Sequence, residues 1–152
     1  MKFLKENWHF LLFMLALIFI YWVIDFPELF FMRPMVEHAW AQVDRASIAL
    51  LFYQNDVGFF QPQTHNIALN YSGIAVGEFP LQTFFVSLLY NIFGFHEYLF
   101  RGTVLVSSLM GFVVAFVISN KFIANKWLSL IVSLGWILSP NLIYYSTGFL
   151  PD

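Results

Sequence analysis

The chain has 152 residues, of which 60% are apolar, 21% aromatic and only 11% charged. Soluble domains carry about a quarter charged residues, so this composition excludes an ordinary soluble domain and implies an integral membrane protein. With no cysteine there is no disulfide framework, thiolate nucleophile or zinc–thiolate site, and the net charge of -2 says little, because charges in membrane proteins matter by position.

The first apolar run, Trp8 to Ile24, has 17 residues without a formal charge. As a helix it is about 25 Å long, at the short end for a hydrocarbon core of roughly 30 Å. Lys2 and Lys5 precede it, and Trp8, Tyr21 and Trp22 lie near its ends, where indole and phenol rings favour the interface. It leads into Ile24-Asp25-Phe26-Pro27 rather than a small-x-small cleavage site, so it reads as an uncleaved anchor, residues 8–24, with a cytoplasmic N-terminus.

The stretch 25–101 reads as a long outer loop. Seven of the nine acidic residues fall in it: Asp25, Glu28, Glu37, Asp44, Asp56, Glu78 and Glu97. Its aromatic content argues against disorder. Apolar side chains at Trp40, Val43, Ala46, Leu50 and Tyr53, with Asp44, Arg45 and Ser47 between them, predict an amphipathic interfacial helix near 40–55. Gly58 and Pro62 break it, and Gly73, Gly77 and Pro80 punctuate the way to a second one near 79–93. Pro80, Gln82, Thr83, Ser87, Asn91 and Gly94 suit the run Phe79 to Phe95 to the outer interface; an alternative reading makes it a fourth span.

Gly102 to Asn120 is uncharged over 19 residues and Trp127 to Pro151 over 25. These give spans at 102–120 and 127–147, joined by a loop at 121–126 carrying Lys121 and Lys126, with the start of a second outer loop at 148–152. The positive-inside rule puts the lysine loop on the side of Lys2 and Lys5. The expected fold is thus all-α and integral to the plasma (inner) membrane, multi-pass with about three spans, in one membrane domain 1–152. Ser107, Ser108, Gly111, Ser119, Ser129, Ser133 and Gly135 read as helix-packing positions.

On the predicted 40–55 helix, Trp40 and Asp44 share one face at i, i+4, while His38, Gln42 and Arg45 share another at i, i+4, i+7. Such a helix either presents an acid and hydrogen-bonding groups to a site or simply offers a solvated face. His9, His38, His65 and His96 lack the spacing of a metal motif, and no phosphate loop, nucleophile elbow or nucleic-acid patch is present. A carboxylate at Glu78, ahead of Phe79-Pro80, suits a helix N-terminus with or without chemistry.

Three runs carry a family resemblance: Arg33 through Ala46, with His38, Trp40, Gln42, Asp44 and Arg45; Asn55 through Pro62; and Gly77-Glu78-Phe79-Pro80-Leu81. Their order resembles the first outer loop of polytopic glycosyltransferases of the protein-mannosyltransferase and aminoarabinose-transferase type (GT-C fold, glycosyltransferase family 39). Arg101 ahead of a span, the lysine loop, Ser139-Pro140, Tyr144-Tyr145-Ser146 and Phe149-Leu150-Pro151-Asp152 are similar to the stretch of that family that ends at a second outer acidic position.

The resemblance implies sugar transfer from a polyprenyl-phosphate donor to a lipid, glycan or protein acceptor, with no nucleic-acid partner. It implies Asp44 as catalytic base, Glu78 at the acceptor or donor site, Asp152 as the second outer acidic position, and Arg45, His38, Gln42 and Arg101 in substrate binding. Relatives often have an Asp-Glu pair where this chain has Asp44-Arg45. The resemblance implies no definite cofactor; a divalent metal is compatible, but no metal ligands are assigned. Family members carry further spans, so the chain is expected to be an N-terminal portion, inactive alone. The rival classes are a segment of a lipid-linked-sugar transporter or flippase, which calls for ionisable groups within spans, and a non-catalytic assembly subunit.

Overall fold

A computed structural model describes residues 7–34, 38–55, 57–65, 73–74 and 79–149. It is all-helical among the described residues, apart from an isolated antiparallel bridge between Gln63 and Ile74. The helices are α1 (Trp8–Val23), α2 (Phe26–Leu29), α3 (Ala39–Asn55), α4 (Leu81–Phe93), α5 (Glu97–Phe122), α6 (Lys126–Ile137) and α7 (Pro140–Thr147). Where the sequence reading takes one domain, the contacts gather into two compact units. The first comprises the N-terminal stretch to Leu29 with Leu105–Thr147, and the second Phe30–Val104 with the residues from Gly148.

In the first unit α1 stops where Asp25 takes a left-handed backbone (φ 53), a conformation that ends a helix. The Asp25 carbonyl then accepts the Glu28 and Leu29 amides and starts α2. The core joins Phe13 and Leu17 of α1, Phe112 and Phe116 of α5, and Leu130 and Ile137 of α6. Phe13 stacks on Phe116 at 4.5 Å between centroids. Tyr21 donates to Ser146 Oγ at 2.8 Å, which ties α1 to α7.

Three boundaries differ from the sequence reading. The helix expected over 102–120 runs for 26 residues from Glu97, so Arg101 lies inside it rather than ahead of it. A charge-based boundary placed its start too late, because a buried guanidinium does not end a helix. The lysine loop shrinks to residues 123–125, with Lys121 in the last turn of α5 and Lys126 opening α6. The expected helix 127–147 is bent by 61° between α6 and α7. Pro140 has no amide to give the Trp136 carbonyl and its ring crowds that turn; the Ser139 amide bonds Trp136 O instead, at 3.2 Å, and Pro140 opens α7.

The second unit is built on the packing of α3 against α4, around a core of Ala49, Val86, Tyr90, Phe100, Val104 and Phe149. Gly94 (φ 81) ends α4 with its amide on Tyr90 O. The outward faces of these helices are apolar. On α4, Leu81, Phe85, Leu88 and Ile92 are exposed, whereas Thr83, Ser87 and Tyr90 are buried beside Val86. In the first unit α6 repeats the pattern, with Trp127, Leu128, Ile131 and Trp136 outside and Ser129 and Ser133 inside. Of the other expected packing positions, Ser107, Gly111 and Gly135 are exposed and Ser108 and Ser119 half-buried.

Candidate active site

The second unit brings together most of the described candidates. α3 begins at Ala39 behind His38, whose left-handed backbone (φ 58) puts it ahead of the helix. His38 is exposed, so it does not share a helical face with Gln42 and Arg45 as the spacing suggests. Those two are buried and extend the inward stripe Gln42, Arg45, Ala49, Phe52. Both have partners, so the pair belongs to the packed side of the helix rather than to a solvated one. Trp40, by contrast, is 72% exposed, and Val43 is exposed too.

Asp44 stands on a third strip of α3, together with Ser47 one turn on. A segment of the stretch that follows α3 folds over this strip. Gln61 N bonds Gly58 O at 2.8 Å, and Thr64 N bonds Gly73 O at 2.7 Å across the Gln63–Ile74 bridge. Gly73 supplies the positive φ of 68° that this return needs. The segment sets Thr64 Oγ1 3.4 Å from Asp44 Oδ1, as donor to the carboxylate. It also brings the His65 amide to Ser47 Oγ at 2.9 Å, with His65 Nδ1 on the same hydroxyl. Asp44 is therefore half-buried and oriented by one hydroxyl, with most of its lone-pair capacity unused by that contact.

Arg101 is 4% exposed in the second turn of α5. Its Nη2 donates to the Arg33 carbonyl at 3.5 Å, and its guanidinium carbon lies 5.0 Å from the Phe149 ring centroid. Phe149 stacks on Phe100 at 5.1 Å, so the cation is wedged against the unit's apolar core. Among the described residues Nε and Nη1 have no hydrogen-bond partner. Glu97, one turn earlier, approaches Arg33 Nε at 3.8 Å. A buried guanidinium with two unused donors is a strong anion receptor in chemical terms, since desolvated donors gain most from a charged acceptor.

Thr64, Ser47 and Phe149 were not singled out as site residues in the sequence. Thr64 is 20 residues from Asp44, and the only signal was its position between the punctuating Pro62 and Gly73. Glu78 and Asp152 lie outside the described residues. Among the described residues no group of three His, Cys, Asp or Glu side chains could hold a metal ion. The first unit contains an apolar cavity of about 360 Å³ lined by Met14, Leu17, Ile18, Tyr21, Trp22 and Leu105 among others, which has no titrating group suited to acid–base chemistry at neutral pH. No family model, characterised protein or solved structure matches the chain.

Proposed function

We propose that this chain belongs to a membrane-embedded glycosyltransferase that moves a sugar from a polyprenyl-phosphate donor to an acceptor hydroxyl at the outer face of the membrane. The observation that carries the reading is Asp44: a half-buried carboxylate, oriented by Thr64, on a helix whose neighbouring Trp40 and Val43 face outward. In this reading Asp44 takes the proton of the acceptor hydroxyl as its oxygen attacks the anomeric carbon. The new glycosidic bond forms as the bond to the phosphate breaks, and the polyprenyl phosphate leaves with inversion. Arg101, with two unused donors beside an apolar core, is the group suited to the leaving phosphate.

The membrane setting is supported by polarity turned inside out, with hydroxyls inside and aliphatic side chains outside on α4 and α6. In water such an arrangement would be costly; in lipid it is the expected one. α5 is long and apolar enough to cross, and the bent pair α6–α7 reaches the necessary length together. α1, at 16 residues, crosses only where its ends or the local bilayer adjust. The orientation proposed keeps the N-terminus and residues 123–125 cytoplasmic.

Asp44→Asn tests the reading. In the sugar-transferring protein it removes the proton acceptor and keeps the shape, so turnover falls by about 10²–10⁴ while donor binding stays. Turnover near that of the parent protein would refute the assignment. A transport reading, which calls for ionisable groups within spans, gains one specific support: His9 and Arg101 are buried within α1 and α5. It predicts that Asp44→Asn leaves lipid-linked-sugar flux intact while His9→Phe and Arg101→Met abolish it.

A further inference from the structure

The first unit gathers cationic and aromatic groups at one set of helix ends. Lys121 lies in the last turn of α5, Lys126 opens α6 only three residues beyond α5, and both are exposed. Asn125 Oδ1 caps α6 by accepting the Trp127 and Leu128 amides at 2.9 and 3.2 Å. Trp8 packs on Trp127 with 4.7 Å between centroids, so the first turn of α1 adjoins the first turn of α6. His9 is 9% exposed, in contact with Trp8 and with Phe116 at 5.6 Å. Among the described residues its Nδ1 has no hydrogen-bond partner.

The described carboxylates of this unit, Asp25 and Glu28, both lie beyond the opposite end of α1. In the sequence the stretch ahead of α1 carries Lys2, Lys5 and Glu6. We propose that Lys121, Lys126 and His9, flanked by Trp8 and Trp127, form a binding site for the phosphate headgroup of an anionic phospholipid. The proposal rests on the membrane setting given above and is independent of sugar transfer.

Two lysines on adjacent helix ends supply charge-assisted donors to a phosphate, and basic pockets between helix ends on the cytoplasmic side suit anionic headgroups. A buried imidazole nitrogen without a partner gains one when a polar headgroup settles there. Lipid, rather than free phosphate, is the source that fits the surroundings. The paired indoles suit headgroup depth, and Leu11, Leu12, Leu128 and Ile131 next to them are exposed, which offers acyl chains a surface.

Thermal unfolding of the purified chain in neutral detergent, titrated with phosphatidylglycerol or phosphatidylcholine, tests this. Phosphatidylglycerol is expected to raise the midpoint at a concentration about tenfold or more below that needed of phosphatidylcholine, given the attraction of each basic group to an anionic surface. The exposed-site double variant Lys121→Gln/Lys126→Gln should erase that preference, and His9→Phe, which keeps the ring packing, should reduce it. Equal response to the two lipids, or an unchanged preference in the double variant, overturns the site. So does a midpoint shift reproduced by inorganic phosphate alone. Release of the chain from membranes by alkaline carbonate would overturn the membrane setting and the site together, whereas a carbonate-resistant chain without lipid preference overturns the site alone.

Discussion

Both units bury short hydroxyls, and the second adds a group of long polar side chains to them. In the first, the buried hydroxyls of Ser133 and Ser146 each donate to a carbonyl of their own helix, Ser129 O and Ile143 O, both at 2.8 Å. Short side chains satisfied this way let helices approach closely and ask nothing of a partner. The second unit buries short hydroxyls too, at Ser47, Thr83 and Ser87, but adds a set of long polar side chains to them: Gln42, Arg45, Arg101 and the phenol of Tyr90. Such side chains reach across elements, and one of them, Arg101, keeps two donors unused. The contrast teaches that the first unit is organised as helix packing, whereas the second carries a polarity that packing does not need.

The sharpest way to break that contrast is Arg101→Met. If the guanidinium served packing alone, its removal would leave a gap against Phe149 and destabilise the unit. Replacing a buried charge by an apolar side chain of similar volume is instead often neutral, or stabilising by about 1–4 kcal/mol. The expected outcome is a melting temperature equal to or above that of the parent and sugar transfer reduced about 10²–10³-fold, read on the same preparation. A variant that melts early and transfers normally would reverse the assignment.

The first unit should respond in the opposite way. Phe13 is fully buried and stacks on Phe116, so Phe13→Ala leaves a cavity in the shared core of α1, α5 and α6. A cost of about 3–5 kcal/mol is expected, measured by unfolding in detergent. Per folded molecule, transfer should be unaffected, because the core cluster around Phe13 includes none of Gln42, Asp44, Arg45 and Arg101. Loss of transfer in proportion greater than the loss of folded protein would mean that the first unit contributes to the chemistry.

How far these differences could be read from sequence depended on their range. The helices α3 and α4 are written in local signals: a 3.6-residue pattern, Pro80 at one end and Gly94 at the other. The faces of α3 were legible only in part: Trp40 and Val43, on the side read as interfacial, are exposed, whereas the inward stripe carries Gln42 and Arg45, which spacing alone left either at a site or on a solvated face. The start of α5 was obscured by reading Arg101 as a boundary; only Phe149, 48 positions on in the sequence, makes its burial intelligible. The bend at Pro140 was written in the sequence but outvoted by the apolar length around it. Asp44 was found by position, and its partner Thr64 required a return of the chain through Gly73.

Tyr90 offers a titration that distinguishes the units. Burial pushes its phenol above the ordinary range, and the negative charge of Glu97 pushes the same way. The folded state therefore holds this proton at a pH where the unfolded chain, with an ordinary pKa of about 10, has lost it. The associated stability is fully present below about pH 10 and declines as pH rises from there towards the raised folded value. Tyr90→Phe should flatten that alkaline decline relative to the parent, measured as the difference between their melting temperatures from pH 9 to 11. Identical slopes would mean that the phenol is hydrated and that the second unit is more open around α4.

The smallest effect belongs to Ser129, whose hydroxyl is fully buried without a partner among the described residues while its backbone carbonyl accepts from Ser133. Its neighbours on the inward face of α6 gain close approach from its size, and alanine has nearly the same size. An unsatisfied buried hydroxyl costs about 1–3 kcal/mol relative to its hydrated state, and hydroxyl hydrogen bonds between membrane helices are worth only about 0.6 kcal/mol on average. Ser129→Ala is therefore expected to be neutral or to stabilise by up to about 1 kcal/mol, with the Ser133 bond to the carbonyl of residue 129 retained. Ser129→Leu, by contrast, should destabilise by overpacking of about 1–3 kcal/mol. Destabilisation by alanine comparable to that by leucine would show that this hydroxyl has a polar partner in the membrane, and the first unit would then no longer differ from the second in what it buries.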